Sequence, residues 1–428
     1  MGMKALFDPF ANFEQLKITK PIRLIELFAG VGAQAMALRD IGANFEHYRV
    51  CEFDKFAMQS YNAIHGTSFP VSDIRDWKGH DLGIVDKDKY EYILTYSFPC
   101  TSLSTAGKQL GMSDGTNTAS SLLWEVKRLL QETNELPQIL LMENVPQVHA
   151  DKFIYDFNKW CDFLKSLGYT NKWHDLSATD YGIPQTRTRC FMVSVLDKLN
   201  YNFPNPIHLE KIHVDYLEKC VKEENYSFSS FSKRLIDDLV RNYKTRLDIA
   251  PNLCETDAQA IQVNDSLLVC QEICKNIANI SGNVKEILST RTPQSKYAQM
   301  LTERSHNLCG TLTTVAKDNV VLEKYILDDT IINTNELDQC HAQIKAVLTS
   351  DNYRNFIYRI DGDNYLILVR NLTALECWRF MGFTDEDFNN AVNAGVSNYQ
   401  LCKQAGNSIV KQVLMAIFKN MNIDNVDK

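Results

Sequence analysis

The chain turns sharply at Tyr96-Ser97-Phe98-Pro99-Cys100-Thr101-Ser102-Leu103-Ser104. The run before it, residues 92–95, is apolar enough for a short buried strand. Pro99 cannot continue that strand, because proline has no backbone N–H to donate. Cys100 is therefore expected at the carboxyl end of a strand, where open α/β sheets bind their ligands. The polar stretch 101–118 is long for a connection, which favours a functional loop.

A glycine-rich turn near the start of the chain predicts a second ligand-binding element. Residues 22–28 are predicted to form a strand and residues 34–41 a helix, with the turn Ala29-Gly30-Val31-Gly32-Ala33 between them. Glycines allow a ligand to approach the backbone, and the helix start offers free N–H groups. Glu52 follows the next predicted strand, about 20 residues on, as expected for a carboxylate that binds ribose hydroxyls. A lone G-x-G motif is weak evidence for a ligand site, since many such motifs are only tight turns.

Three further charged side chains fall near predicted strand ends. Residues 137–142 are predicted to form a buried strand that ends at Glu143, on the same edge as Cys100. Arg187 and Arg189 are two apart, so they share one face of a strand. Glu143, the two arginines and Cys100 each have a plainer structural interpretation as well. A solvated glutamate, an exposed arginine face and a buried structural cysteine are all common.

Composition limits the class of protein. A chain of 428 residues, 45% of them hydrophobic, can form two or three domains with sizeable cores. It has no apolar run of about 18 residues and no signal-peptide core, so a cytoplasmic protein without membrane contact is expected. The twelve cysteines include no C-x-x-C pair, so no metal site is predicted. A net charge of −8 argues against a nonspecific nucleic-acid coat protein but permits a basic cleft.

Five motifs in order resemble the DNA (cytosine-5) methyltransferase family. They are Phe28-Ala29-Gly30-Val31-Gly32, Pro99-Cys100, Glu143-Asn144-Val145, Gln185-Thr186-Arg187-Thr188-Arg189 and Gly406-Asn407-Ser408. The resemblance covers residues 22–196 and 366–420. It implies an α/β fold: a Rossmann-like, S-adenosylmethionine-dependent methyltransferase domain with a mostly parallel sheet and helices on both faces, plus a smaller mixed α+β target-recognition domain.

The resemblance also implies an order of domains. Residues 1–20 would be an N-terminal extension, 21–204 the catalytic and cofactor-binding domain, 205–395 the target-recognition domain, and 396–428 a segment whose helix returns to the catalytic domain. Within the polar middle region, helices are predicted over 226–241 and 265–280, with Cys270 and Cys274 on one helix face. Further on, Thr373 and Glu376 form a predicted capping box at a helix start.

Roles for individual residues follow from the resemblance. Cys100 would be the nucleophile and Glu143 would act on ring nitrogen 3 of cytosine, while Arg187 and Arg189 would line the pocket and lower the thiol pKa. The catalytic set is therefore Cys100, Glu143, Arg187 and Arg189. The expected cofactor-binding residues are Phe28, Ala29, Gly30, Gly32, Glu52, Phe53, Asp73, Ile74, Pro99, Leu122, Asn407 and Ser408. The expected DNA-binding residues are Ser104, Lys108, Gln185 and Thr311.

The sequence departs from the family pattern at three places. Ala33 replaces a glycine that commonly follows the G-x-G, and Thr101 replaces a glutamine that commonly follows Pro-Cys. Residues 119–121 read Ala-Ser-Ser where an arginine and a glycine are more usual. The last departure predicts the loss of a phosphate contact.

The function that the resemblance implies is methyl transfer from S-adenosyl-L-methionine to carbon 5 of cytosine, leaving S-adenosyl-L-homocysteine. The target would be a specific double-stranded DNA sequence, with base flipping and a covalent intermediate at Cys100. We expect a monomer in a restriction–modification or phage-protection system, and leave open a cognate restriction endonuclease acting separately. Two alternatives stay open: an RNA cytosine-5 methyltransferase, and a noncatalytic module that binds DNA or cofactor. The recognised bases cannot be read from the sequence.

Overall fold

The computed structural model describes two compact units. The described residues are 14–103, 110–116, 118–211, 213–218, 221, 237, 268–276, 297–303, 312, 319–327, 357–360 and 363–424. The first unit comprises Met1–Ile183, Arg187–Glu210 and Met381–Lys428, and the second comprises Pro184–Thr186 and Lys211–Phe380. This division places residues 381–395 with the first unit, whereas the sequence grouped them with the recognition domain. The helix predicted over 226–241 lies almost wholly outside the described residues.

A six-stranded sheet forms the centre of the first unit. Its strands are β1 (Ile22–Leu27), β2 (Phe45–Cys51), β3 (Glu91–Tyr96), β4 (Ile139–Asn144), β5 (Thr170–Ser177) and β6 (Thr188–Val195). They lie in the order β2-β1-β3-β4-β6-β5. The first four are parallel, and β6 runs antiparallel to both neighbours. The predicted α/β fold with a mostly parallel sheet is confirmed.

Helices connect the parallel strands and complete the chain. They are α1 (Ala33–Asp40), α2 (Lys55–His65), α3 (Leu123–Glu132), α4 (Ile154–Ser166), α5 (Ala374–Arg379), α6 (Asp385–Asn393), α7 (Asn398–Asn407) and α8 (Lys411–Lys419). Strand order reverses between β1 and β3, and right-handed crossovers then put α1 and α3 on opposite faces. Such a reversal opens a crevice at the strands' carboxyl ends. Among the helices described, none combines the length and apolarity needed to cross a membrane.

Local sequence explains why these elements form. All six residues of β4 are buried, as expected for a central strand covered on both faces. Asp54 caps α2 by accepting hydrogen bonds from the N–H groups of Phe56 at 2.9 Å and Ala57 at 3.4 Å. In the core, the indole of Trp160 donates to the hydroxyl of Tyr96 at 3.1 Å. This bond satisfies two polar groups that the core would otherwise leave unpaired.

Charged pairs join α6 and α8 to α1. Lys411 Nζ lies 2.5 Å from Asp40 Oδ2, and only 4% of the lysine side chain is exposed. The guanidinium of Arg39 makes two bonds to the carboxylate of Asp387, of 2.7 and 3.1 Å. The end of the chain therefore belongs to the same unit as its beginning, and α6 is part of that unit.

The second unit contains an antiparallel five-stranded sheet. Its strands are β7 (Leu268–Asn276), β8 (Tyr297–Glu303), β9 (Asn319–Leu327), β10 (Ile357–Ile360) and β11 (Asp363–Asn371), in the order β10-β11-β9-β7-β8. The helix predicted over 265–280 is wrong, because β7 occupies that stretch and Cys270 and Cys274 lie on a strand. Pairing with β8 and β9 on either side decides the structure there. Such pairing overrides a weak local helical pattern.

A buried ion pair organises the start of α5. Thr373 Oγ1 accepts the Glu376 N–H at 3.1 Å, and Glu376 accepts the Thr373 N–H at 2.8 Å, which confirms the predicted capping box. The same carboxylate pairs with the guanidinium of Arg370 through bonds of 2.8 and 2.9 Å, fully buried. Bidentate geometry of this kind satisfies both charges without water.

Residues 14–18, which the sequence left without a role, form a strap in the first unit. The Leu16 N–H donates to the Asn200 carbonyl at 2.7 Å, and the Asn200 N–H donates to the Glu14 carbonyl at 2.7 Å. Further along, the Asp424 N–H donates to the Ile18 carbonyl at 2.9 Å. Leu16 and Ile18 are both buried. The strap thus joins the chain after β6 to the chain after α8.

Replacing Leu16 with alanine should lower the free energy of unfolding by about 2–5 kcal/mol, because it removes buried methyl groups from the strap. Urea unfolding of the purified chain measures this. The matched control is Lys17→Ala. Lys17 is 60% exposed and pairs with Asp424 at 3.0 Å, so its loss should cost less than about 1 kcal/mol. Equal losses from the two variants would show that the strap is not packed as described.

Candidate active site

One cavity of about 970 Å³ in the first unit gathers residues from distant parts of the sequence. It lies beyond the carboxyl ends of β1, β2, β3 and β4. The start of β6 reaches the same edge because that strand is antiparallel. Fifteen of the residues predicted for catalysis or cofactor binding line the cavity: Phe28, Ala29, Gly30, Glu52, Phe53, Asp73, Ile74, Pro99, Cys100, Leu122, Glu143, Arg187, Arg189, Asn407 and Ser408.

Gly32 is the predicted cofactor residue that does not line this cavity. Its φ is +80°, and a Cβ there would come within 2.7 Å of the Tyr61 ring and would collide with His65. Glycine is therefore required at position 32 by the packing of α2 and by the backbone conformation. Gly30, with a φ of +58° and open space around its absent Cβ, faces the cavity instead.

The carboxylate of Glu52 is held at the end of β2. It accepts the Gly30 N–H at 2.8 Å and the Asp54 N–H at 2.6 Å, so it joins the glycine turn to the start of α2. Burial raises the pKa of Glu52, while these backbone bonds act against the rise. The Phe53 side chain beside it is 70% exposed and lines the cavity. An aromatic ring and a fixed carboxylate together suit a nucleoside.

Asp73 and Ile74 lie on the same side of the cavity but in different settings. Arg75 donates to both carboxylate oxygens of Asp73, with the shortest bond at 2.5 Å, and this lowers the pKa of Asp73. Ile74 is buried, and its carbonyl accepts a bond from Arg128 at 3.1 Å. Asp73 therefore stays ionised, with its oxygens already partly engaged.

The turn that carries Cys100 is fixed from several directions. The Leu103 N–H donates to the Cys100 carbonyl at 2.9 Å, which closes the turn. The Asn144 side chain donates to the Phe98 carbonyl at 2.9 Å. The Ser120 hydroxyl donates to the Pro99 carbonyl at 2.6 Å. The thiol is consequently presented on a stiff backbone at the cavity wall.

Glu143 is buried beside a guanidinium. Arg189 Nε lies 3.2 Å from Glu143 Oε1. The hydroxyl of Ser97 also hydrogen-bonds this carboxyl group, and Gln34 Nε2 in turn approaches Ser97 Oγ at 3.4 Å. Burial raises the pKa of Glu143, although Arg189, Arg187 and Ser97 oppose the rise. A carboxyl group in this setting is easier to protonate near neutral pH than an exposed one.

Arg189 and Arg187 act to lower the pKa of the Cys100 thiol, as expected, but other groups outweigh them. Burial raises the pKa of Cys100 most, the Glu143 carboxylate raises it further, and Arg189 and Arg187 lower it. The net direction is upward, because desolvation of the thiolate outweighs the two guanidinium groups. The Cys100 thiol is therefore harder to deprotonate than an exposed thiol.

Arg187 contacts the backbone of the carboxyl-terminal segment. It donates to the Gly406 carbonyl at 3.0 Å and to the Ser408 carbonyl at 2.6 Å. Burial and the positive charge of Arg189 lower the pKa of Arg187 to about 9. These bonds hold the residues 406–408 against the start of β6, so that Asn407 and Ser408 close one side of the cavity.

Of the four predicted DNA-binding residues, only Gln185 lies among the described residues. Ser104, Lys108 and Thr311 lie outside the described residues. Gln185 is fully buried in the second unit, where its amide donates to the Phe380 carbonyl at 2.7 Å and accepts the Leu312 N–H at 3.1 Å. Its side chain thus links two backbone segments of that unit.

Sequence reasoning missed several side chains that hold the reactive groups. Ser97 bonds Glu143, while Asn144 and Ser120 hold the cysteine turn. Lys403 lines the cavity and pairs with Asp54 at 2.7 Å. Ser97 and Asn144 could have been found, since both are polar residues at the carboxyl ends of predicted buried strands. Ser120 gave no signal, because its partner is a backbone carbonyl far away in sequence.

A group with metal-ligand chemistry lies apart from the cavity. The ligand atoms of His149, Asp175 and Cys190 come within 4.8 Å of one another, and none of the three residues lines the cavity. His149 Nε2 is 3.0 Å from Asp175 Oδ1. Cys190 follows Arg189 on β6, so its side chain points to the opposite face of the sheet. The contacts of this group include the hydrogen bond between His149 and Asp175, and the Cys190 thiol is buried.

Two relatives and one solved structure are similar to most of this chain. The orphan methyltransferase M.SPRI of Bacillus phage SPR is 28% identical over 448 residues, covering 94% of this chain and 97% of the relative. The type II methyltransferase M2.ScrFI of Lactococcus lactis subsp. cremoris is 27% identical, covering 94% and 99%. The crystal structure of the S. pombe Dnmt2 methyltransferase, with 17% identity and a TM-score of 0.54, covers 94% of this chain and 98% of its own. That last likeness shows the fold.

The sequence model of one family extends over nearly the whole chain. The family is the C-5 cytosine-specific DNA methylases, and the match runs from residue 22 to residue 422. It therefore includes both described units and every segment that lines the cavity. The chain belongs to this family and is a DNA (cytosine-5-)-methyltransferase.

Proposed function

We propose that this chain transfers the methyl group of S-adenosylmethionine to carbon 5 of a cytosine within a specific double-stranded DNA sequence. The reaction would proceed by base flipping and a transient bond between Cys100 and carbon 6. One observation supports this most: Cys100, Glu143 and Arg189 share a cavity with the glycine turn and Glu52. The proposed nucleophile, the proposed proton donor and the residues proposed to hold the cofactor thus line one cavity.

The cavity residues fit the cofactor. Glu52 keeps carboxylate lone pairs that can accept ribose hydroxyls, since each oxygen has more than one acceptor site. Phe53 offers an exposed ring on which a purine can stack. Gly30 leaves open space beside the backbone. Bound S-adenosylmethionine would supply a sulfonium-activated methyl group and leave S-adenosylhomocysteine.

The side chains act on the cytosine ring. The Cys100 thiolate adds to carbon 6, and the ring electrons move toward carbon 5 and nitrogen 3. Protonated Glu143 donates a hydrogen bond or proton to nitrogen 3, which stabilises the adduct. After methylation, carbon 5 gives its proton to solvent water, and the released electron pair re-forms the double bond between carbons 5 and 6. The sulfur–carbon bond breaks, the Cys100 thiolate leaves, and nitrogen 3 returns its proton to Glu143. The raised pKa of Glu143 favours the acid form that this role requires.

The location of Cys100 requires the base to leave the helix. The thiol is partly buried in a turn at the cavity wall, and a base stacked inside a duplex cannot reach it. A flipped cytosine would enter between this turn, Glu143 and Arg189. Double-stranded DNA is therefore the proposed partner. The relatives named as phage orphan and type II methyltransferases support a role in phage protection or restriction–modification.

Expression in a bacterium without cytosine methylation should produce methylcytosine confined to one short sequence motif. Bisulfite sequencing of the host DNA measures this directly. A strain carrying Cys100→Ala should give no methylation, because the variant lacks the nucleophile, although gel-shift binding to the same DNA should remain. Both proteins must first be shown to be folded and equally abundant.

Three results would contradict the proposal in different ways. Methylation by Cys100→Ala would remove the covalent mechanism. Methylcytosine in cellular RNA but not in DNA would make the chain an RNA methyltransferase. Unmodified nucleic acid from folded, cofactor-binding protein would favour the noncatalytic alternative.

The charge on Glu143 should control the reactivity of the thiol in the free enzyme. Glu143→Gln removes the carboxylate that raises the Cys100 pKa, so alkylation of Cys100 by iodoacetamide at pH 8 should be roughly threefold to tenfold faster. Methylation by the same variant should become much slower, since the acid for nitrogen 3 is lost. Peptide mass spectrometry distinguishes Cys100 from the other cysteines.

Arg189→Gln provides the opposite control. It removes a positive charge that lowers the thiol pKa, so alkylation of Cys100 should slow. If both variants changed the alkylation rate in the same direction, exposure rather than charge would control the thiol.

A further inference from the structure

The turn that carries the nucleophile depends on a side chain outside every family motif quoted above. Ser120 is fully buried, and its hydroxyl donates to the Pro99 carbonyl at 2.6 Å. The same oxygen accepts the Ser102 N–H at 3.3 Å. One hydroxyl thus joins the residue just before Cys100 to the residue just after Thr101. It uses its donor and an acceptor site together.

Ser120 is itself held in place. It lies in the 3-10 helix Ala119–Leu122, which leads directly into α3. The Thr118 hydroxyl caps this helix by accepting the Ser121 N–H at 3.2 Å and also donates to the Gly111 carbonyl at 3.0 Å. We call the two hydrogen bonds of the Ser120 hydroxyl the Ser120 brace. This brace connects the turn around Cys100 to α3, whose inner face is buried in the core.

An arginine or a glycine at position 120 could not make both of these bonds. Glycine has no side chain, and a guanidinium has donors but no acceptor, so neither could bond both the carbonyl and the N–H. From the sequence alone, the departure at residues 119–121 predicted the loss of a phosphate contact. The structure shows that one of these residues has an interior partner instead.

We propose that Ser120 is a positioning residue for methyl transfer, which fixes the direction of the Cys100 thiol toward carbon 6 of the flipped cytosine. This inference rests on the proposed function. Ser120 acts through the turn and touches no reacting atom. A displacement of about 1 Å at a nucleophile can reduce the rate by about a hundredfold. The Ser120 hydroxyl therefore affects the rate of methyl transfer and hardly affects the binding of DNA or cofactor.

Ser120→Ala tests the proposal. We expect kcat to fall about tenfold to a hundredfold, with KM for DNA and for the cofactor within about twofold of wild type. Alkylation of Cys100 by iodoacetamide should rise at least about threefold, because a loosened turn exposes the partly buried thiol further. A general loss of structure would not combine a slower methyl transfer with unchanged KM values.

Ser113→Ala is the matched control. Ser113 belongs to the same connecting segment, and its hydroxyl donates to Asp156 on α4 at 2.8 Å. This bond anchors the segment but does not reach the cysteine turn. We expect its kcat and its Cys100 alkylation rate to stay within about twofold of wild type. Thermal unfolding of both variants shows whether either is generally destabilised.

Several results would overturn the inference. These are a Ser120→Ala enzyme with normal kcat, a change confined to KM, or an equal effect in Ser113→Ala. If Ser120→Ala does not fold, Ser120→Cys replaces it, since its thiol is a weak donor of similar size. The kcat of Ser120→Cys should lie severalfold below that of the wild type. A normal kcat would show that the Ser120 brace does not position the turn. If the wild type shows no methylation, the proposed function fails, and the alkylation rates still test the turn.

Discussion

One buried guanidinium joins two distant stretches of chain around the cavity. Arg187 donates to the carbonyls of Gly406 at 3.0 Å and Ser408 at 2.6 Å, linking the start of β6 to the end of α7. A buried cation needs such acceptors, because its desolvation costs several kcal/mol. Its pKa, lowered to about 9, still leaves it charged at neutral pH. With Arg187 engaged in this way, Arg189 is the guanidinium that approaches Glu143.

In the proposed reaction, Cys100 and Glu143 behave as one titrating pair. Transfer of a proton from the thiol to the carboxylate would convert a thiol and a carboxylate into the reactive form, a thiolate and a carboxylic acid. Both forms carry the same number of protons, so bulk pH cannot interconvert them. Local electrostatics decides instead: Arg187 and Arg189 favour either anion, while burial disfavours both. A ring nitrogen that accepts a hydrogen bond from Glu143 would shift the pair toward its reactive form.

The sequence predicted features that depend on local rules. Strand-end patterns placed Cys100 and Glu143 at one sheet edge, where the structure has them, and the capping box at Thr373 is confirmed. What failed depends on tertiary partners. β7 was predicted as a helix, because its pairing with β8 and β9 leaves no trace within residues 265–280. The need for glycine at position 32 also comes from tertiary packing, against Tyr61, and its contact with the cofactor stays a prediction.

Reactive atoms and the groups that hold them obey different constraints. A thiolate at position 100 is irreplaceable in the proposed chemistry, so its motif is easy to read. Its backbone, however, can be held by any group that satisfies the carbonyls of Phe98 and Pro99, and here Asn144 and Ser120 do so. A side chain that holds this backbone need not take part in the reaction itself. The departure at residues 119–121 therefore does not by itself indicate lost function, because Ser120 has partners in the interior.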